Sequence, residues 1–170
     1  LKIGDSIPDA KVWLGPAEPI NLHGVLEDGP VLLVFYLFDW SSTCTNELLL
    51  LRDRRDELDA LGLRPIGISC DSPWTHIAWT QALEFGFPLL SDWNREATRA
   101  FGVEHAFRGL EGVSRRCTYL VDADGTVQSA EIYRARVHNQ AKLAYNSLAA
   151  WLDGQGPAPA AMTAVPGLAD

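Results

Sequence analysis

The feature that most limits how this chain can fold is a run of eight apolar residues, Val31-Leu-Leu-Val-Phe-Tyr-Leu-Phe38, opened by the turn signal Asp28-Gly29-Pro30. A run without polar alternation is buried on both faces, so it reads as a central strand of an α/β sheet. It is far shorter than the ~18 residues of a membrane-spanning helix. Polar Asp39, Ser41, Ser42 and Thr43 follow it. From Thr45 to Leu61 the composition favours a helix, with Leu48, Leu51, Leu58 and Leu61 on one stripe and Gly62 closing it. Strand, polar turn and helix together put Cys44 at a helix mouth, at the end of the sheet where α/β sites form.

The rest of the chain fits the same class. Lys11–Leu14 reads as a short edge strand, and Glu18–Leu22 as its partner across Gly15-Pro16. Leu63–Cys70 is a second strand, with Ile66, Ile68 and Cys70 on one side. Ser72 is a natural N-cap and Pro73 a natural first residue for a helix that runs to about Phe85 and ends at Gly86. Phe87–Leu90 is a short strand, and Asn94–Phe101 a short helix closed by Gly102. Arg115–Val121 and Thr126–Tyr133 form a hairpin across Asp124-Gly125. Asn139–Leu152 is expected to be a helix, and Gly154–Asp170 a loose tail rich in Pro, Ala and Gly. The expected organisation is one domain over residues 1–153 and a flexible segment over 154–170.

A net charge of −8 with only short basic clusters (Arg52, Arg54, Arg55; Arg115, Arg116) excludes a nucleic-acid surface. No span of membrane length is read, nor a leader segment at the N-terminus. Three widely spaced cysteines, at 44, 70 and 117, give no metal-ligand spacing, and the same holds for the histidines at 23, 76, 105 and 138. No metal and no cofactor are expected, and the thiols point to a reducing, cytoplasmic setting. Trp40, Trp74, Trp79 and Trp93 read as core or pocket-wall residues, and His105 as a loop residue near the site.

Cys44 is the chemically suggestive residue. Free N–H groups in the first turn of a helix, and the helix dipole, favour negative charge. A thiolate there is expected to form below the ~8.5 of a free cysteine. The competing reading is a buried structural cysteine.

Here the residues carry a resemblance. Phe35-Tyr-Leu-Phe-Asp-Trp-Ser-Ser-Thr-Cys-Thr-Asn-Glu47 resembles the active-site segment of peroxiredoxins, whose motif is Pro-x-x-x-Thr/Ser-x-x-Cys. Ile3-Gly-Asp-x-x-Pro-Asp9, Gly67-Ile-Ser-Cys-Asp-Ser-Pro73, Phe87-Pro-Leu-Leu-Ser-Asp92 and Arg116-x-x-Tyr-Leu-Val-Asp122 agree in order. The nearest types are the one-cysteine alkyl hydroperoxide reductase E and its bacterioferritin-comigratory relatives. The resemblance implies a thioredoxin-like fold: a mixed central sheet flanked by helices, with an N-terminal hairpin extension. It implies a thiol peroxidase in which Cys44 attacks a peroxide and becomes a sulfenic acid. Arg116 would lower the thiolate pKa and hold the peroxide, Ser41 would hydrogen-bond both, and Glu47 would orient Arg116. Leu37, Trp40 and Trp93 would line the pocket.

Leu37 is a departure, because the motif has proline there. It keeps two alternatives open: a binding or scaffold protein that has lost peroxidase activity, or a diverted biosynthetic thiol enzyme. The second cysteine that close relatives place five residues on is Leu49 here. Cys70 is then the candidate resolving thiol, and Cys117, one residue from Arg116, should face the other side of its strand. The favoured cycle uses one cysteine and an external thiol, either a low-molecular-weight thiol or a thioredoxin-like protein. The expected partners are a peroxide, that reductant and a second copy of the chain.

Overall fold

A computed structural model describes residues 1–132. The expected helix Asn139–Leu152, the tail after Gly154 and the last residue of the expected hairpin, Tyr133, lie outside the described residues.

The chain folds around the apolar run. Strand β3 (Val31–Phe35) is buried along its whole length. It pairs in parallel with β4 (Arg64–Ser69) and antiparallel with β8 (Cys117–Val121). With β1 (Lys11–Gly15), β2 (Glu18–Asn21), β5 (Leu89–Ser91) and β9 (Val127–Ile132), these make a seven-stranded mixed sheet in the order β2-β1-β5-β4-β3-β8-β9. β1 is therefore not an edge strand as expected: it bonds β5 as well as β2, and β2 takes the edge.

Period-two alternation along β3 divides the core. Val31, Leu33 and Phe35 pack on one face with Ile66, Ile68, Cys117 and Tyr119. Leu32, Val34 and Tyr36 pack on the other with Cys44, Leu48 and Trp79. Gly67 lies at mid-sheet on this second face, where an added Cβ would sit 2.6 Å from Leu89 Cδ2 and 3.1 Å from the Tyr36 ring. Its missing side chain is what lets Tyr36 lie against the sheet.

Helix α1 (Ser42–Asp53) starts three residues earlier than the composition suggested, because Ser41 accepts the Cys44 N–H as an N-cap at 3.3 Å. The expected single helix breaks at Arg54, and α2 (Arg55–Ala60) follows. Leu61 thus falls beyond the helix and is 52% exposed instead of joining Leu48, Leu51 and Leu58 in the core. Helix α3 (Pro73–Leu83) has the expected Ser72 cap and Pro73 start. It ends at Glu84 in the left-handed conformation, two residues before Gly86.

Helix α4 (Glu96–Ala100) is shorter than expected and is capped from a distance, with Asp92 accepting the N–H groups of Ala97 and Thr98 at 3.1 and 2.6 Å. Ala97 and Phe101 set this helix on the Cys117 face of the sheet. A second, two-stranded sheet, β6 (Glu104–Phe107) and β7 (Leu110–Ser114), was not expected. Its turn is Arg108-Gly109, both at positive φ, so the tight hairpin lacks the Asn-Gly or Asp-Gly signal that marks such turns. His105 accordingly sits in β6, with Nδ1 3.2 Å from the Val113 carbonyl, and not in a loop.

Candidate active site

The parallel strands β3, β4 and β5 all end at one rim, at Phe35, Ser69 and Ser91. Strand β8 runs the other way, so its start reaches the same rim: Cys117 is paired with Phe35. Arg116 immediately precedes it and by strand parity turns to the face opposite Cys117, which is the face of Cys44. Two residues 72 positions apart in sequence are thus brought together by one antiparallel pairing. Arg116 is 4% exposed and carries the main favourable charge acting on Cys44.

Cys44 is in the first turn of α1, 0% exposed. Burial pushes its thiol up, Arg116 pulls it down, Glu47 adds to the rise, and the Ser41 hydroxyl and Phe38 backbone favour the thiolate. The expected lowering below the free-cysteine value is therefore corrected: in this closed geometry desolvation raises the thiol despite Arg116. Glu47, one turn along α1, is buried, and burial raises its carboxyl to about 8 against the pull of Arg116.

The remaining predicted residues are distributed as follows. Ser41 caps α1 and reaches Cys44. Leu37 is buried in the same apolar cluster as Cys44. Trp40 is exposed, in the left-handed region at φ +65°, with its ring 6.3 Å from that of buried Trp79. Trp93 and Trp74 are exposed as well, and line an apolar cavity of about 490 Å³ with Trp13, Pro16 and Pro73; Cys44 and Leu37 are not among its walls. Cys70 shares the parity of Ile66 and Ile68, and its Sγ lies 3.5 Å from Thr98 Oγ1 of α4, on the far face from Cys44. Burial raises its thiol too. No cluster of His, Cys, Asp and Glu suited to a metal occurs among the described residues.

Sequence reasoning missed a polar network under the site. The Tyr36 hydroxyl donates to Asp39 Oδ1 at 2.7 Å, and His76 Nδ1 lies 2.8 Å from Asp39 Oδ2. The signal available was Asp39 itself, a charged residue directly after an apolar strand.

The family model described as AhpC/TSA family matches residues 3–130. The chain belongs to the AhpC/TSA family. It is 32% identical to alkyl hydroperoxide reductase E of Mycobacterium tuberculosis over 152 residues, covering 88% of this chain and 97% of the relative. It is 28% identical to a chloroplastic 2-cysteine peroxiredoxin of Chattonella marina var. antiqua over 142 residues, covering 78% and 71%. Among solved structures, peroxidoxin BcpB of M. tuberculosis matches with a TM-score of 0.71 at 30% identity, covering 78% of this chain and 86% of that one. Reduced Prx3 of Vibrio vulnificus in complex with hydrogen peroxide matches in fold with a TM-score of 0.74 at 20% identity, covering 81% and 91%. The thioredoxin-like fold expected of this AhpC/TSA chain is thereby borne out, as is its kinship with the reductase E type.

Proposed function

We propose that this AhpC/TSA-family chain is a thiol peroxidase that reduces hydrogen peroxide or an organic hydroperoxide through Cys44. The observation that carries the reading is the convergence of Cys44, in the capped first turn of α1, with the charge of buried Arg116 from the start of β8. The Cys44 thiolate attacks one peroxide oxygen, an S–O bond forms and the O–O bond breaks. Sulfur is oxidised by two electrons to the sulfenic acid, and the departing oxygen takes up a proton as water or alcohol. The guanidinium of Arg116 offsets charge on the sulfur before attack and on the oxygens during it. Ser41 holds the thiolate, and Glu47 orients Arg116.

Cys70 faces α4, across the sheet from Cys44, which favours recycling by an external thiol. That thiol attacks the sulfenic sulfur and water leaves; a second thiol then frees Cys44 from the mixed disulfide. We assign the reductant to low-molecular-weight thiols or a thioredoxin-like protein, the setting to a reducing compartment such as the cytoplasm, and the assembly to a homodimer. Exposed Trp40, Trp74 and Trp93, which follow the ends of β3, β4 and β5, supply an apolar surface for the dimer contact.

The test is stopped-flow tryptophan fluorescence of reduced protein mixed with hydrogen peroxide and with an organic hydroperoxide. A fast change, lost in Cys44→Ser, is expected. A wild-type rate no greater than that of a free thiol would refute the reading and leave the scaffold or diverted-enzyme alternatives.

A further inference from the structure

The loop from β3 to Cys44, residues 37–41, lacks the motif proline, yet one of its residues is fixed from several directions. Both carboxylate oxygens of Asp39 are engaged, Oδ1 by the Tyr36 hydroxyl at 2.7 Å and Oδ2 by His76 Nδ1 at 2.8 Å. Its backbone N–H donates to Asp71 Oδ2 at 3.0 Å. Asp71 is held in turn: the Ser69 hydroxyl donates to the same oxygen at 2.7 Å, and the Ser91 hydroxyl donates to the Asp71 carbonyl at 2.6 Å. Tyr36, Ser69 and Ser91 stand at the ends of β3, β4 and β5, and His76 is on α3. The Asp39 carboxylate therefore ties the loop to the end of β3 and to α3, and the Asp39 N–H ties it through Asp71 to the ends of β4 and β5.

Two further features show that the tie is under demand. Trp40, next along, holds a left-handed φ of +65°, which a bulky residue keeps only when its surroundings impose it. Ser41 follows directly and is the cap whose Oγ receives the Cys44 N–H. The strained residue thus lies between the tie and the cap. Leu37 fills its site sterically but leaves its own φ free, whereas proline would fix it. The Leu37 N–H donates to no backbone carbonyl among the described residues, so a proline ring there would break no such bond.

We propose that Asp39 and His76 are positioning residues for Cys44, a hydrogen-bonded clamp that fixes the β3–α1 loop in place of the restraint that proline at position 37 supplies in the family motif. The inference rests on the peroxidase reading of Cys44 but is tested separately from it. The clamp keeps the thiol enclosed beside Arg116. Its loss lets the loop open, so the sulfur meets bulk reagents more readily while losing its alignment for peroxide.

The experiment compares wild type, His76→Leu, Asp39→Ala, His76→Gln and the double variant Leu37→Pro/His76→Leu. Each is followed by site-resolved mass spectrometry of Cys44 alkylation by iodoacetamide across pH, by the peroxide oxidation rate, and by far-UV circular dichroism. In His76→Leu and Asp39→Ala the peroxide rate is expected to fall by about 10- to 10²-fold while alkylation of Cys44 speeds up. A merely structural residue would not separate the two rates in this way. Adding Leu37→Pro should recover much of both changes, and His76→Gln, whose amide can still donate to Asp39, should stay near wild type. Folded His76→Leu and Asp39→Ala with unchanged alkylation profiles and peroxide rates would overturn the clamp, as would a double variant no better than the single one. If His76→Leu does not fold, Asp39→Asn carries the same comparison. Wild type that reacts with peroxide no faster than a free thiol would refute the peroxidase reading, and the alkylation arm would still decide the clamp.

Discussion

Glu47 and Arg116 are where single side chains set the chemistry. The Glu47 carboxyl rises from an ordinary 4.5 to about 8 on burial. Between those values the folded chain keeps a proton that the unfolded chain has released, so stability falls as pH rises through the window. Urea midpoints measured from about pH 5 to pH 8 should decline in wild type and stay flatter in Glu47→Gln. The same substitution should lower the Cys44 thiol pKa, because Glu47 raises it; an unchanged or higher value would contradict the arrangement. Arg116→Met should act oppositely, raising the thiol pKa and slowing peroxide oxidation by about 10²-fold or more. A rate within a factor of about two of wild type would show that the positive charge is not what drives attack.

At the level of elements, Gly67 makes the sharpest prediction. Gly67→Ala places a methyl 2.6 Å from Leu89 Cδ2 and 3.1 Å from the Tyr36 ring, both in the buried core. Overpacking of this kind costs about 1–3 kcal/mol, read as a lowered thermal midpoint. It should also quicken Cys44 alkylation, since Tyr36 anchors Asp39; a variant as stable as wild type would mean that β4 gives way there at little cost. Elements with strong local chemistry were legible in the sequence: the apolar run of β3, the Ser72-Pro73 start of α3 and the Asp124-Gly125 turn. Those decided by remote partners were not. The break at Arg54 has no local breaker, and α4 takes its cap from Asp92, across an intervening residue in the left-handed region. Cys44 is legible from the strand–turn–helix pattern and Ser41, Glu47 and Arg116 from the motif, whereas the Asp39–His76 pair joins residues 37 apart that no short pattern links. The direction of the Cys44 shift is not legible in the sequence, because a helix terminus is a local feature and depth of burial is not.

For the molecule as a whole, a net charge of −8 opposes self-association while exposed Trp40, Trp74 and Trp93 favour it. The proposed dimer should therefore tighten as salt rises, with screening lengths near 10 Å at about 0.1 M. Sedimentation velocity should show Trp93→Ser shifted toward monomer; an unchanged dimer would place the contact elsewhere. The sheet has a last consequence. Cys44 and Cys117 stand on opposite sides of a wall of paired strands, with Phe35 and Tyr119 packed on the Cys117 side. Their sulfurs cannot meet while that wall is intact. A Cys44–Cys117 disulfide found in a preparation or a cell extract would therefore act as a tamper seal, recording that the chain carrying it was open when the oxidant arrived.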